Sequence, residues 1–570
     1  MQDGGLFCQR AKQPSRGRGN FNSTELELSV TTKLSSFVFV RVGVIETPSR
    51  PWQGRVLPLN HTRINLMRSY SIMKQAKNQN MKNIFSIPEE VSRVTDELEK
   101  AGFEAFLVGG CVRDLILGKT PKDWDVTTNA TPNQIISLFS KTFYENDFGT
   151  VGMVNEETED ETLKVVEVTP YRIESTYSDN RHPDTISFSQ KIEDDLQRRD
   201  FTINALAYSV SKKSIIDLYG GQKDIKDKII RTVGEPTKRF QEDGLRILRA
   251  VRLSCELSFE INPETEKSIV ENAQLLKNIS KERVRDEFTR IIMSEQPMRG
   301  LLAMRKLGIL QYVVPELEKT MGVEQNRAHA YDVWEHLLRS VQHSADKNYP
   351  LEIRLSALLH DISKPESRRW GKEQDTWTFY GHEVLGAREA KKILTNLKYP
   401  TKIIDKVVIM VRWHMFFSDT EQITLSAVRR MIVNVGRENI WDLMNLRICD
   451  RIGTGRPKED PYRLRKYHSM IEEAMRDPVS VGMLKIDGKK IIDVTKTQPG
   501  PKIGFILHAL LEEVLENPEK NTSDYLENRA KKLILLPENE LKALGEQGKQ
   551  SKEEADEAEI KKIRSSHYVK

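Results

Sequence analysis

The feature that most constrains this chain is an apolar strand running into two glycines, followed shortly by two aspartates one residue apart. The residues are Phe106-Leu107-Val108-Gly109-Gly110-Cys111-Val112-Arg113-Asp114, then Lys122-Asp123-Trp124-Asp125-Val126. Glycines let a backbone come close to a phosphate chain, and a helix starting there points its amides and positive dipole end at it. Arg113 adds a planar cation that grips phosphate oxygens two at a time. On a strand, residues two apart share a face, so Asp123 and Asp125 are expected to point the same way. Two carboxylates on one face can hold paired divalent ions that activate an attacking oxygen and stabilise a departing pyrophosphate. Each piece alone is common in loops and turns; their order along one chain is what carries the nucleotidyl-transfer reading.

Further segments extend that reading. Glu167 lies in the strand pattern Leu163-Lys164-Val165-Val166-Glu167-Val168. Burying a glutamate is costly unless a cation meets it, so either it joins the metal site of Asp123 and Asp125 or the strand is an edge with Glu167 in solvent. In Arg198-Arg199-Asp200-Phe201-Thr202-Ile203-Asn204, Arg199 suits a triphosphate, and Asp200 and Asn204 suit sugar hydroxyls. Asp243, Arg246, Arg249 and Arg252 recur every three residues, which on a helix forms one slowly drifting polar stripe. A surface ion-pair ladder has the same spacing. The chemistry offers a sharper role. Adenine and cytosine each present an amino donor beside a ring-nitrogen acceptor, and guanine and uracil present the reverse. An Asp acceptor beside an Arg donor therefore selects ATP and CTP without a template. Arg249 and Arg252 would then face phosphates.

Taken together, Gly109-Gly110-x-Val112-Arg113-Asp114, Asp123-x-Asp125, Arg198-Arg199-Asp200-Phe201-Thr202-x-Asn204-Ala205 and Glu242-Asp243-x-x-Arg246-x-x-Arg249 resemble the class II tRNA nucleotidyltransferases, the CCA-adding enzymes. They are similar also to the bacterial poly(A) polymerases. The likeness continues through Phe148-Gly149-Thr150-Val151, Asp217-Leu218-Tyr219-Gly220-Gly221 and Ser280-Lys281-Glu282-Arg283-Val284, covering residues 85 to 300 closely. It implies an α/β head with a mixed β-sheet, followed by a largely α-helical neck and body. It implies catalytic Mg2+ on Asp123 and Asp125 with Glu167 beside them, and triphosphate binding by Gly110, Arg113 and Arg199. Asp200 and Asn204 would take the sugar, and Asp243, Arg246, Arg249 and Arg252 the nucleotide-selecting face. Tyr177-Ser178-Asp179-Asn180-Arg181-His182-Pro183 resembles the loop with which such enzymes switch from C to A. The Arg-Arg-Phe signature that poly(A) polymerases tend to carry after the first motif is missing, which favours CCA addition.

A second constellation lies farther along the chain. His336, the His360-Asp361 pair after Leu355-Ser356-Ala357-Leu358-Leu359, His382, His414 and Asp450 combine imidazoles and carboxylates on helices, as a centre of one or two divalent ions requires. Any one of these histidines alone is more often a satisfied core residue than a ligand. The set looks like an all-α HD phosphohydrolase domain. That likeness implies His336, His360, Asp361 and Asp450 as ligands of a second divalent metal, with His382 and His414 as further candidates.

The chain's 570 residues and formal charge of +5 suit several domains and a polyanionic partner. Cys8, Cys111, Cys255 and Cys449 form no CxxC pair, which points away from disulfides and structural zinc and towards a reducing compartment. No apolar run reaches the length of a membrane span, so a soluble protein without a membrane partner is expected. Residues 1–80 carry twelve Lys/Arg against four Asp/Glu. They read either as an organellar leader or as a disordered or misassigned start ahead of Met73 and Met81, and the second is preferred, with a cytoplasmic protein. The expected organisation is that extension, a nucleotidyltransferase head over 81–233, a nucleotide-selecting neck over 234–300 and a helical body over 301–330. Beyond these come an HD domain over 331–455, a tRNA-binding helical region over 456–535 and a charged tail over 536–570. The expected activity is template-independent addition of C, C and A to the 3′ end of tRNA from CTP and ATP. A poly(A) polymerase, and an HD phosphohydrolase with an RNA-holding head, are the alternatives. Basic clusters at Lys281 to Arg285, Arg456 to Lys458 and Arg463 to Lys466 are the tRNA-facing candidates; oligomeric state is not legible in the chain.

Overall fold

The computed structural model describes residues 85–144, 149–174, 186–326, 329–372, 375–415 and 423–544. The basic extension, the Tyr177 to Pro183 loop and the end of the charged tail lie outside these residues. The first described helix, Glu89–Lys100, buries Val91, Val94, Thr95 and Leu98 at helical spacing and ends before Gly102, whose φ of +87° reverses the chain. The chain then enters β1 (Ala105–Val108), all four of whose side chains are buried.

β1 lies inside a seven-stranded sheet that also holds β2 (Trp124–Thr128), β3 (Thr142–Tyr144), β4 (Val151–Val154), β5 (Val165–Pro170), β8 (Leu206–Ser209) and β9 (Ser214–Asp217). The order is β3-β4-β5-β2-β1-β8-β9. Only β2 and β5 run parallel, which makes the sheet mixed, as expected. A separate antiparallel ribbon joins β6 (Arg172–Glu174) and β7 (Ile186–Phe188). In the β2/β5 ladder Asp125 stands directly opposite Glu167. Partners across a ladder share a face, so Glu167 is beside Asp125 on the side away from the buried Val166 and Val168. β5 lies between β4 and β2, so the edge-strand alternative for Glu167 does not hold.

Beyond the sheet the chain is helical. The short helix Pro236–Glu242 leads into the first neck helix, Arg246–Leu257, and the second neck helix, Lys281–Met293, packs against it. Ile247, Leu248 and Val251 of the first and Val284, Phe288 and Ile291 of the second are buried in the core that also underlies the sheet. The same core continues into the helices Val333–Asp346 and Leu351–Leu359. A second apolar cluster lies beneath Ile440–Gly453 and the C-terminal helices Tyr462–Ala474, Pro501–Glu516 and Ser523–Leu533. No helix among the described residues is long and apolar enough to cross a membrane.

Candidate functional site

Gly109 ends β1 and caps the helix Gly110–Ile116 with φ +82° and ψ −132°. A Cβ on Gly109 would lie 2.9 Å from Arg199 Nη1 and 3.6 Å from Asp125 Oδ2. A side chain is therefore excluded both by the backbone and by the neighbours. The sequence reading gives both glycines a close approach to phosphate; at Gly110 a Cβ would meet only the Arg113 guanidinium at 3.6 Å, ordinary contact. The close approach that demands glycine is at Gly109, where the strand ends.

Asp123, which precedes β2, and Asp125, within it, both line a cavity of about 980 Å³ between the sheet and the neck helices. Glu167 stands next to Asp125 by register but is absent from the cavity lining. Gly110, Arg113, Arg199, Asp200, Asn204, Asp243, Arg246, Arg249 and Arg252 line it with the two aspartates. The structure thus brings to one cavity every residue that the sequence assigned to the metal, triphosphate, sugar and base positions except Glu167.

Carboxylates and amides fix the arginines in place. Arg113 donates from Nη1 to Asn204 Oδ1 at 2.7 Å and from Nε to Asp114 Oδ1 at 2.9 Å. Arg199 donates to Asp195 Oδ2 at 3.0 Å, and the fully buried Asp195 also takes Arg198 at 2.6 Å. Asp200 accepts from its neighbour Phe201 N at 2.8 Å and pairs with Arg249 at 2.6 Å. Burial pushes the Asp200 carboxyl up; the Arg249 charge and hydrogen bond, with Arg246 behind, override it and hold the group well below the usual carboxylate range. The guanidiniums arrive oriented, with little entropy left to lose when an anion enters.

The neck departs from the sequence expectation at one point. Asp243 is not on the helix with Arg246, Arg249 and Arg252. It follows the helix Pro236–Glu242 in an extended conformation, φ −144° and ψ 105°, and the first neck helix begins only at Arg246. The cause is local. Asp243 Oδ1 accepts from Leu245 N at 3.0 Å, closing an Asx turn, and Gly244 is pressed against Leu275, where a Cβ would sit at 3.0 Å. Asp243 is held from the second neck helix by Arg283, Nη2 to Oδ2 at 2.8 Å and Nη1 to Oδ1 at 3.3 Å. Arg246 donates to Glu242 Oε2 at 2.6 Å and to the Arg198 carbonyl at 3.1 Å. Arg252 is buried between Glu287 at 2.6 Å and Glu256 at 2.7 Å. Arg283 and Arg285, in the cluster read from sequence as RNA-facing, both have protein partners, Arg285 donating at the surface to the Lys398 carbonyl at 2.6 Å. Sequence reasoning missed the roles of Arg283 and Glu287 because both partners are distant in sequence; only the Lys281 to Val284 motif marked the region.

The second constellation converges fully. His336, His360, Asp361, His382, His414 and Asp450 are all buried. Asp361 divides them: its Oδ2 faces His336 Nε2 at 3.1 Å and His360 Nε2 at 3.3 Å, and its Oδ1 faces His382 Nε2 at 3.2 Å and His414 Nε2 at 3.5 Å. Asp450 Oδ1 is 3.4 Å from His336 Nε2. The Nδ1 atoms of His360, His382 and His414 each meet a backbone carbonyl, of Ala357, Phe379 and Val411, at 2.9, 2.5 and 2.7 Å. A carbonyl only accepts, so each Nδ1 carries a hydrogen and each ring turns its Nε2 towards the centre, where the neutral form offers a lone pair. Burial pulls the His360 imidazole down, but Asp361 and Asp450 more than reverse it, lifting it to about 9. Burial holds His414 down at about 4 despite Asp361. Lys364, which sequence reasoning passed over, lies 2.6 Å from Asp361 Oδ2. Arg456 and Arg463, both exposed, line the cavity beside this cluster with Tyr380 and Tyr462.

Three families match by sequence: "Poly A polymerase head domain" over residues 105–231, "Probable RNA and SrmB- binding site of polymerase A" over 258–321, and "HD domain" over 329–451. The chain is similar to the CCA-adding enzyme of Pediococcus pentosaceus, 31% identical over 449 residues, covering 78% of this chain and 98% of that one. It is similar also to the CCA-adding enzyme of Limosilactobacillus reuteri, 41% identical over 456 residues, covering 78% and 97%. Among solved structures, the Bacillus stearothermophilus CCA-adding enzyme in complex with CTP superimposes with a TM-score of 0.59 at 26% identity, covering 78% of this chain and 98% of that one.

Proposed function

The chain belongs to the CCA-adding enzyme family, and from that membership we propose that it adds C, C and A to the 3′ end of tRNA. It takes CTP and ATP without a template and releases pyrophosphate. The observation that carries the reading is the single cavity uniting Asp123, Asp125, Arg113 and Arg199 with Asp243 and Arg246. One wall offers carboxylates and phosphate-binding arginines, and the other offers an acceptor beside a donor for the base edge. The head family bears the poly(A) polymerase name, but the relatives that match along their whole length are CCA-adding enzymes, which favours CCA addition over adenosine tailing.

In this reading the tRNA terminal hydroxyl attacks the α-phosphate in line. Arg113 and Arg199, held by Asp114 and Asp195, bind the triphosphate next to the Gly109 turn, while Asp200 and Asn204 lie towards the sugar. Asp243, oriented by Arg283, accepts from the exocyclic amino group of C or A, and Arg246 donates to the adjacent ring nitrogen. Arg249, paired with Asp200 but still partly exposed to the cavity, faces the phosphates, while Arg252, buried between Glu287 and Glu256, orients the neck. The oxygen-only donor set of Asp123 and Asp125, with Glu167 in register, fits Mg2+, which supplies activation of the attacking hydroxyl and charge neutralisation on the leaving pyrophosphate. The buried cluster around Asp361 fits a divalent metal too, because Asp361 Oδ1 has no hydrogen-bond partner while two imidazole lone pairs face it. We place the head, neck and HD modules at the sequence-based boundaries, and the protein in the cytoplasm by likeness to its bacterial relatives.

The test is incorporation of labelled CTP and ATP, separately and together, into tRNA lacking its CCA, with an unrelated RNA as control. Growth by C, C and then A on tRNA alone is expected, abolished by Asp123→Ala with the fold intact. Adenosine tailing of both RNAs, or full activity in Asp123→Ala, would overturn the reading.

A further inference from the structure

The cavity is longer than the nucleotide it is proposed to hold. From Arg246 its lining continues along the first neck helix to Leu257, eleven residues and about 16 Å at 1.5 Å per residue. A nucleotide with its phosphates at Arg113 and Arg199 and its base at Asp243 and Arg246 leaves that end open. The second neck helix runs along the same end. Arg283, Glu287 and Arg290, at i, i+4 and i+7, lie on one face of it. Arg283 is committed to Asp243 and Glu287 to Arg252. Arg290 lines the cavity, is exposed, and among the described residues meets no carboxylate. Beside it are Met293, 41% exposed, and the half-buried Leu257.

We propose that Arg290 binds a backbone phosphate of the primer RNA's single-stranded 3′ end, and that Met293 and Leu257 form the apolar surface on which a base of that end lies. A cation without a protein counter-ion at the mouth of a phosphate-processing cavity suits a polyanion, and an adjacent thioether and isobutyl group suit an unstacked base rather than a duplex. Glu256, on the same stretch, is neutralised by Arg252, and the exposed Glu295 disfavours phosphate beyond this point. The orientation rests on the nucleotidyl-transfer reading; the RNA contact does not.

The test is direct binding of tRNA lacking its CCA, without nucleotide, by fluorescence anisotropy across a salt series. Arg290→Gln is expected to weaken the Kd about five- to tenfold and to lower the slope of log K against log salt by about 0.7, the loss of one single-strand phosphate contact. Arg290→Lys recovers part of both, and the KM for CTP stays unchanged. Because Arg290 is exposed, the melting temperature is the control for folding. Unchanged RNA affinity and salt slope, or a raised KM for CTP with RNA binding intact, overturns the assignment. So does wild-type protein that binds no RNA. RNA binding without nucleotide addition overturns the proposed function instead, and Arg290 is still judged by the binding data.

Discussion

Asp200 shows how much of the site depends on single buried charges. Its folded-state pKa lies well below that of a free aspartate, about 3.9, because Arg249 outweighs burial. A depressed carboxylate contributes stability that is present above its unfolded pKa and lost as pH falls towards its folded pKa. Asp200→Asn is therefore expected to lose about 2 kcal/mol at pH 7, where Arg249 keeps only the more distant Glu287 at 3.9 Å, and markedly less near pH 3. Urea unfolding of both proteins at the two pH values checks this; an equal gap at both would refute the ion-pair account. At Asp243 the prediction is chemical. Asp243→Ala should raise UTP and GTP incorporation relative to CTP and ATP by about tenfold or more, because the acceptor that leaves groups unpaired on the wrong bases is gone. Competition assays with all four nucleotides read this directly, and unchanged selectivity would move base choice elsewhere. Asp243 and Arg246 were legible in the sequence because their chemistry is local to one motif. Arg283, which aims Asp243, was not, since forty residues separate it from the carboxylate it holds.

At the scale of elements, the alternation of short strands and helices and the later helical period made the mixed head and helical neck legible. Where the neck helix begins was not. Three-residue spacing continues smoothly through Asp243, Arg246 and Arg249, and only the Asx turn at Asp243 with the packing of Gly244 on Leu275 breaks it. Register was likewise hidden. That Glu167 faces Asp125 comes from β5 adding parallel to β2, a pairing set by the fold and not by either strand's own pattern. The second neck helix has an end-tie that no motif announced. Arg354, buried, donates from Nη1 to the carbonyls of Ile292 at 3.0 Å and Ser294 at 2.8 Å. These are among the carbonyls a helix end leaves without internal partners. Arg354→Met, close in shape but without donors, should cost about 2–3 kcal/mol by leaving them buried and unpaired. Denaturant unfolding measures it, and a loss under about 0.5 kcal/mol would show that the tie does not support the neck.

For the whole molecule, Arg354 matters because its helix is a bridge between the two sites. That helix, Leu351–Leu359, leads directly into His360 and Asp361, so one short element joins the end of the neck to the buried histidine cluster. Leu355, Leu358 and Leu359 share the core with Ile291 and Ile292 of the neck. The two candidate metal centres are thus continuous in packing yet separate in ligands, and each can be removed alone. A divalent ion that binds only the folded cluster stabilises it by about 4 kcal/mol when present at a thousand times its Kd. Added divalent metal should therefore raise the melting temperature of Asp123→Ala, in which only the buried cluster is left to bind it, but not of the double variant Asp123→Ala/Asp361→Ala, and metal analysis should show the ion of Asp123→Ala lost in the double variant. Conversely, Asp361→Ala assayed with Mg2+ should still add C to tRNA, whereas Asp123→Ala should not. If the double variant keeps the bound metal and the melting shift of Asp123→Ala, the buried cluster is a polar core and not a metal site. If Asp361→Ala keeps its fold yet loses C addition, the cluster and the transfer site act as one unit through the Leu351–Leu359 helix.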